Sequence, residues 1–213
     1  LYYLGIFEPV CINQMRQHLG TGGTLLDVGA NIGLFTVEGA VAVGPSGNVI
    51  SIEAAPPHAQ TVREAANLNS LRNVEVVAAA VGNQEGTATL TLPMEGNYGM
   101  FTLGVVDGDR SFTVPVRTID DIVAGRRVDF IKMDIEGSEY RALLGADRTL
   151  RSTPPILIEL NESALAACGS SARQVKDLLF SYGYKGRVLG RDHREIALED
   201  THDCDECLFM RPT

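Results

Sequence analysis

The chain has 213 residues, 45% of them hydrophobic and 21% charged, with no tryptophan. Its 27 acidic side chains against 18 basic ones give a formal net charge of -9, which argues against the basic stripe that a nucleic-acid surface needs. No apolar run approaches the ~20 residues of a membrane span, and the length suits one domain with its own core.

Residues 1–23 are expected to form a helical lead-in, with Pro9 near the first turn of a helix over 10–19. Leu1 is not a natural start, so a longer chain is expected to precede it. From there β-rich runs at 24–28, 48–52, 74–79, 129–133 and 156–160 alternate with amphipathic stretches at 33–43, 58–68, 139–144 and 172–182. That alternation predicts a parallel α/β sheet. The strand runs are continuously apolar, which predicts central strands covered on both faces. Two runs at 87–92 and 111–116 alternate instead, and read as a hairpin around a Gly/Asp-rich surface insertion at 93–110. Runs at 186–189 and 207–210 are expected to close the sheet as an antiparallel pair within 186–213.

The stretch LLDVGANIGLFTV at 25–37 runs from a strand through an acid into a bend with Gly29 and Gly33. Ligands of a parallel sheet gather beyond the carboxyl ends of its strands. The Gly-x-x-x-Gly spacing differs from a dinucleotide fingerprint, and a P-loop lysine is absent, so a triphosphate is disfavoured. The second strand ends at Glu53, where a carboxylate accepts both hydroxyls of a ribose. A nucleoside with a cationic amino-acid portion near Asp27 fits, and S-adenosylmethionine has those parts. Its adenine is expected near the third strand end around Ala80, although Gly82 and Asn83 serve equally well as a turn.

The second signal is DFIKMDIEGSEY at 129–140, where Lys132, Asp134, Glu136 and Glu139 crowd a strand end. Helix capping accounts for Ser138 and Glu139. It accounts poorly for Asp134. Strand five adds Glu159 and Asn161 on one face. These acids are expected to meet around an acceptor group; a divalent ion on the same oxygens is the less favoured use, and no metal ligand is assigned.

Together with SIEAAPPHAQTVREAANLN and TIDDI, these motifs resemble the FkbM family of S-adenosylmethionine-dependent methyltransferases over about residues 5–184. The resemblance implies an α/β Rossmann-like class I methyltransferase fold, with a mostly parallel seven-stranded sheet and helices on both faces. It implies cofactor contacts from Asp27, Gly29, Asn31, Gly33 and Glu53, with Glu8 of the lead-in GIFEP at the methionine end. It further implies methyl transfer to a hydroxyl of a sugar, polyketide or related natural product, with Asp134 and Glu136 nearest the methyl. Asp134 is the expected base, with Glu136 or Glu159 next and Lys132 either holding that carboxylate ionised or binding an anionic acceptor.

Competing readings are a non-catalytic cofactor-binding scaffold and a nicotinamide oxidoreductase; the latter lacks its third glycine and a Tyr-x-x-x-Lys pair. His58 is expected on the surface after Pro56-Pro57, His18 at a helix end, and His193 and His202 in solvated loop. Cys204 and Cys207 have half-knuckle spacing but read better as the turn of the antiparallel pair. Four scattered cysteines imply no disulfide framework and a reducing, cytoplasmic setting. A homo-oligomer is compatible with the composition.

Overall fold

A computed structural model describes residues 8–92, 110–189, 195–197, 199–200 and 203–212. Most of the 93–110 insertion, His193, His202 and the lead-in before Glu8 lie outside the described residues.

Helix α1 (Pro9–His18) leads into β1 (Thr24–Val28), α2 (Leu34–Val43), β2 (Asn48–Glu53), α3 (Pro56–Leu68) and β3 (Val74–Ala78). The chain continues through β4 (Ala80–Val81), β5 (Gly86–Leu92), β6 (Arg110–Arg117), α4 (Ile119–Val123) and β7 (Phe130–Met133). It ends with α5 (Glu139–Leu144), α6 (Asp147–Arg151), β8 (Ile156–Asn161), α7 (Glu162–Ala167), α8 (Ala172–Ser181), β9 (Lys185–Val188) and β10 (Asp203–Met210). The main sheet has seven strands in the order β3-β2-β1-β7-β8-β10-β9. Its pairs are parallel except that β10 runs antiparallel to both β8 and β9, as expected for the C-terminal pair. This is a Rossmann-like, mostly parallel sheet. Among the described residues no helix is long and apolar enough to cross a membrane.

Side chains alternate across each strand, so each face has its own core. On one face Leu26, Ile50, Ile131 and Ile158 pack with Leu143 of α5 and Val175 and Leu179 of α8. On the other, Leu25, Val49, Phe130, Leu157 and Leu208 pack with Met15 of α1 and Phe35 and Val43 of α2. The helices at α4, α6 and α7 are additions to the sequence reading; each is five or six residues long, too short for a periodic signal.

The third strand departs from expectation in two ways. It lies at the sheet's edge, with most positions only partly covered. It also ends at Ala78 rather than 79, because Ala80 and Val81 leave to pair with Val116 and Arg117 of β6. A second, three-stranded sheet β4-β6-β5 results, with the expected antiparallel hairpin of β5 and β6. Gly145, just past α5, docks this sheet on the main body: a Cβ there would lie 2.1 Å from the Gly82 carbonyl oxygen. Gly145→Ala is therefore expected to cost about 1–3 kcal/mol of stability, read as a lowered urea midpoint; an unchanged midpoint would show that the two sheets are not in close register.

Candidate active site

At the carboxyl ends of β1 and β2 lies a partly open pocket with about 90 Å³ of space for water-sized spheres. Gly29, Asn31, Glu53, Ala80, Asp134 and Glu136 line it, bringing together six of the residues singled out from sequence.

The bend after β1 is built on left-handed backbone. Gly29 has φ 83, and a Cβ there would lie 1.8 Å from the carbonyl oxygen of Asp134, so only glycine lets the first loop touch the end of β7. Asn31 is left-handed without being glycine, at φ 52, and its buried Oδ1 has no hydrogen-bond partner among the described residues. Glu53 is 7% exposed; its Oε2 accepts the Asn31 N–H at 2.8 Å and its Oε1 the Ala55 N–H at 2.7 Å. Burial raises its pKa, against the two N–H groups that stabilise the charge. The acid thus fixes the bend and keeps lone pairs for a ligand.

Two expected cofactor residues stand back from the cavity wall. Asp27 is fully buried, with Oδ2 accepting from Thr36 Oγ1 at 2.6 Å and Oδ1 unpartnered among the described residues. Burial raises its pKa, offset by Lys132 and Thr36. Gly33 begins α2 at φ 93, and its role is that turn. His58, in contrast, is not a bare surface residue: it faces the cavity from the first turn of α3, beside Ala54. Leu90 of β5 completes the wall opposite, a long-range placement that no local pattern announces.

Beyond the cavity, strand alternation stacks polar groups on the α1 and α2 face. Lys132 is 6% exposed, with Nζ 3.2 Å from Asp134 Oδ2, 3.4 Å from the Gly29 carbonyl oxygen and 5.1 Å over the Phe35 ring. Burial opposes its charge, yet Asp134, Asp27 and Glu206 hold its pKa above the ordinary lysine value. Oxygen atoms of Asp134, Glu136 and Glu159 lie within 4.8 Å of one another, the convergence expected from sequence. Asn161 does not join them; it caps α7, accepting the Ala164 N–H at 3.2 Å. Glu8, at the start of α1 with φ 45, lies away from the cavity wall and meets Cys11 and Glu206 instead, one atom from each within 4.8 Å of the others.

Glu206 was not foreseen. The β10 register sets it directly across from Glu159, and the signal needed was the pairing of strands far apart in the chain. Burial first, then the charges of Glu8 and Asp134, push its carboxyl up to about 8. Burial likewise raises the Cys11 thiol, which makes it an inert packing group. Cys207 is buried in β10, and the side chain of Cys204 lies outside the described residues, so the half-knuckle has no described partner set.

Ser138 and Glu139 also differ from simple capping. The Ser138 side chain makes no cap hydrogen bond, and the residue lines the cavity. Glu139 accepts the N–H groups of Ile135 and Gly137, both at 3.1 Å, and burial pushes its carboxyl up to about 6.

The raised Glu206 carries a pH signature. Between its ordinary value of 4.5 and the folded value of about 8, the folded chain keeps a proton that the unfolded chain has lost. Its stabilisation is complete below the lower value and fades as pH rises through the upper. Tm is expected to fall from about pH 5 to about pH 8.5, and Glu206→Gln to flatten that slope; the same slope in the variant would place the titration elsewhere.

The chain is similar in sequence and fold to known methyltransferases. The Methyltransferase FkbM domain matches residues 27–185. AMB antimetabolite synthetase AmbE of Pseudomonas aeruginosa is 25% identical over 252 residues; the match takes 97% of this chain but 12% of that protein, so this chain spans about an eighth of its length. A methyltransferase FkbM structure from Methylobacillus flagellatus KT superposes with TM-score 0.59 and 23% identity, covering 89% of this chain and 44% of that one. A SAM-dependent methyltransferase from Aquifex aeolicus gives TM-score 0.54 and 18% identity, covering 97% and 90%. With the matched domain extending from the acid of β1 to the start of β9, the chain belongs to the FkbM family of methyltransferases.

Proposed function

We propose that this chain is an S-adenosylmethionine-dependent O-methyltransferase acting on a hydroxyl of a small molecule such as a sugar or polyketide. The observation that carries the reading is one cavity with Glu53 on one wall and Asp134 and Glu136 on another. The unpartnered Asn31 Oδ1 on that cavity fits a ligand that brings its own donor. In this reading Glu53 accepts the ribose hydroxyls, Ala79, Ala80 and Leu90 cover the adenine, and Gly29 exposes backbone to the amino-acid portion. Asp27 and Glu8 lend negative charge from behind the wall.

The sulfonium of the bound cofactor supplies a methyl carbon already activated toward displacement. The chain's part is placement, which supplies several kcal/mol of such a barrier, and removal of the hydroxyl proton. Asp134 is the proposed base. Lys132 pairs with that carboxylate, its Nζ 3.2 Å from Oδ2. Oxygen atoms of Glu136 and Glu159 lie within 4.8 Å of an oxygen of Asp134. Lys132 already brings a positive charge to this cluster, so the reading assigns no step to a divalent ion.

Two measurements test it. Calorimetry with S-adenosylhomocysteine is expected to show binding that Glu53→Gln weakens by about tenfold, through loss of a charge-assisted acceptor; no binding by the intact chain would end the cofactor reading. Labelled cofactor incubated with the small molecules of the source cell is expected to label a product. Asp134→Asn should cut that turnover by about 10²-fold or more while binding stays within a few-fold; near-normal turnover would remove Asp134 as the base.

A further inference from the structure

The segment from Asp134 to Ser138 forms the acid wall of the cavity, and it is short, sharply bent and held at few points. Asp134 donates its N–H to the Val28 carbonyl at 3.0 Å, which fixes the start. The bend itself is unfavourable: Glu136 is left-handed at φ 52, and Gly137 has φ 99. At Gly137 a Cβ would lie 2.2 Å from the Ala164 carbonyl oxygen, so the loop is pressed on α7 with no room to shift outward. Two N–H groups at this bend, those of Ile135 and Gly137, face inward with no strand or helix to accept them. A single side chain oxygen does so, Oε1 of Glu139, at 3.1 Å to each. Glu139 is 2% exposed, and its Oε2 is buried with no partner among the described residues.

We infer that Glu139 is the positioning residue of the acid wall: its Oε1 ties the Ile135 and Gly137 amides so that Asp134 and Glu136 stay turned toward the cavity. The inference rests on the cofactor-binding reading of that cavity, and it adds a residue that touches neither cofactor nor acceptor. Its distinguishing feature is the unequal use of the two oxygens. Oε1 carries both of these loop hydrogen bonds and Oε2 carries neither, so the clamp requires the reach of the side chain and one acceptor atom. Its charge is dispensable. A cap that stabilised α5 through charge would show the opposite preference.

Two variants separate these demands. Glu139→Gln keeps the length and one acceptor oxygen while losing the charge. Glu139→Asp keeps the charge and withdraws the oxygen by one methylene. The amide exchange rates of Ile135 and Gly137, and the affinity for S-adenosylhomocysteine, are measured on the intact chain and on both variants. Glu139→Gln is expected to protect both amides as the intact chain does and to bind within about threefold. Glu139→Asp is expected to speed exchange of those two amides selectively, with protection of the β7 amides unchanged, and to weaken binding by about tenfold. Full protection and affinity in Glu139→Asp, or a defect in Glu139→Gln as deep as in Glu139→Asp, would overturn the assignment. If the intact chain fails to bind S-adenosylhomocysteine, the cofactor reading falls, while the amide rates still decide the clamp.

Discussion

One ammonium group governs the carboxyl edge of this sheet. Lys132 is buried on β7 with Asp27 beside it on β1 and Asp134 two residues on, and the charges of Glu8 and Glu206 also bear on it. A buried cation is tolerated only when opposite charge and hydrogen bonds replace its water. Burial opposes the charge of the lysine, but the acids around it hold its pKa above the ordinary value. Burial first, and repulsion among the acids second, raises the Glu136 and Glu206 carboxyls. Raised pKa values make these carboxylates stronger bases than free ones, which is what the proposed reaction asks of the site.

Much of this was legible because each strand repeats the same two-residue step toward its carboxyl end. Leu25 precedes Asp27, Val49 precedes Ser51, Phe130 precedes Lys132 and Leu157 precedes Glu159, an apolar side chain followed on the same face by a polar one. Alternation alone therefore predicts an apolar floor that turns polar where ligands gather. The acids of DFIKMDIEGSEY and the glycine bend could be placed for the same reason, since both sit within a few residues of a strand end. What escaped was long-range: the seat of Glu206 opposite Glu159 depends on β10 register, and Leu90 reaches the cavity only because β4 leaves the main sheet. His58 and Glu139 were misread for a subtler reason. Local chemistry suggested a solvated turn and a helix cap, whereas the folded neighbourhood set the partners of both.

The division between the two sheets has a functional counterpart. The seven-stranded sheet is shared with relatives of low identity and supplies the glycine bend, Glu53 and the acid wall. The smaller sheet adds a lid of Leu90 and Val81 over one side of the cavity.

The absent methyl group at Gly29 has a wider consequence. Because that α-carbon abuts the peptide of Asp134, the turn that would cradle the donor and the carboxylate that would deprotonate the acceptor form one solid block. Neither can swing without carrying the other. In the proposed reaction, the alignment of donor and base is then inherited from folding and need not be assembled on encounter.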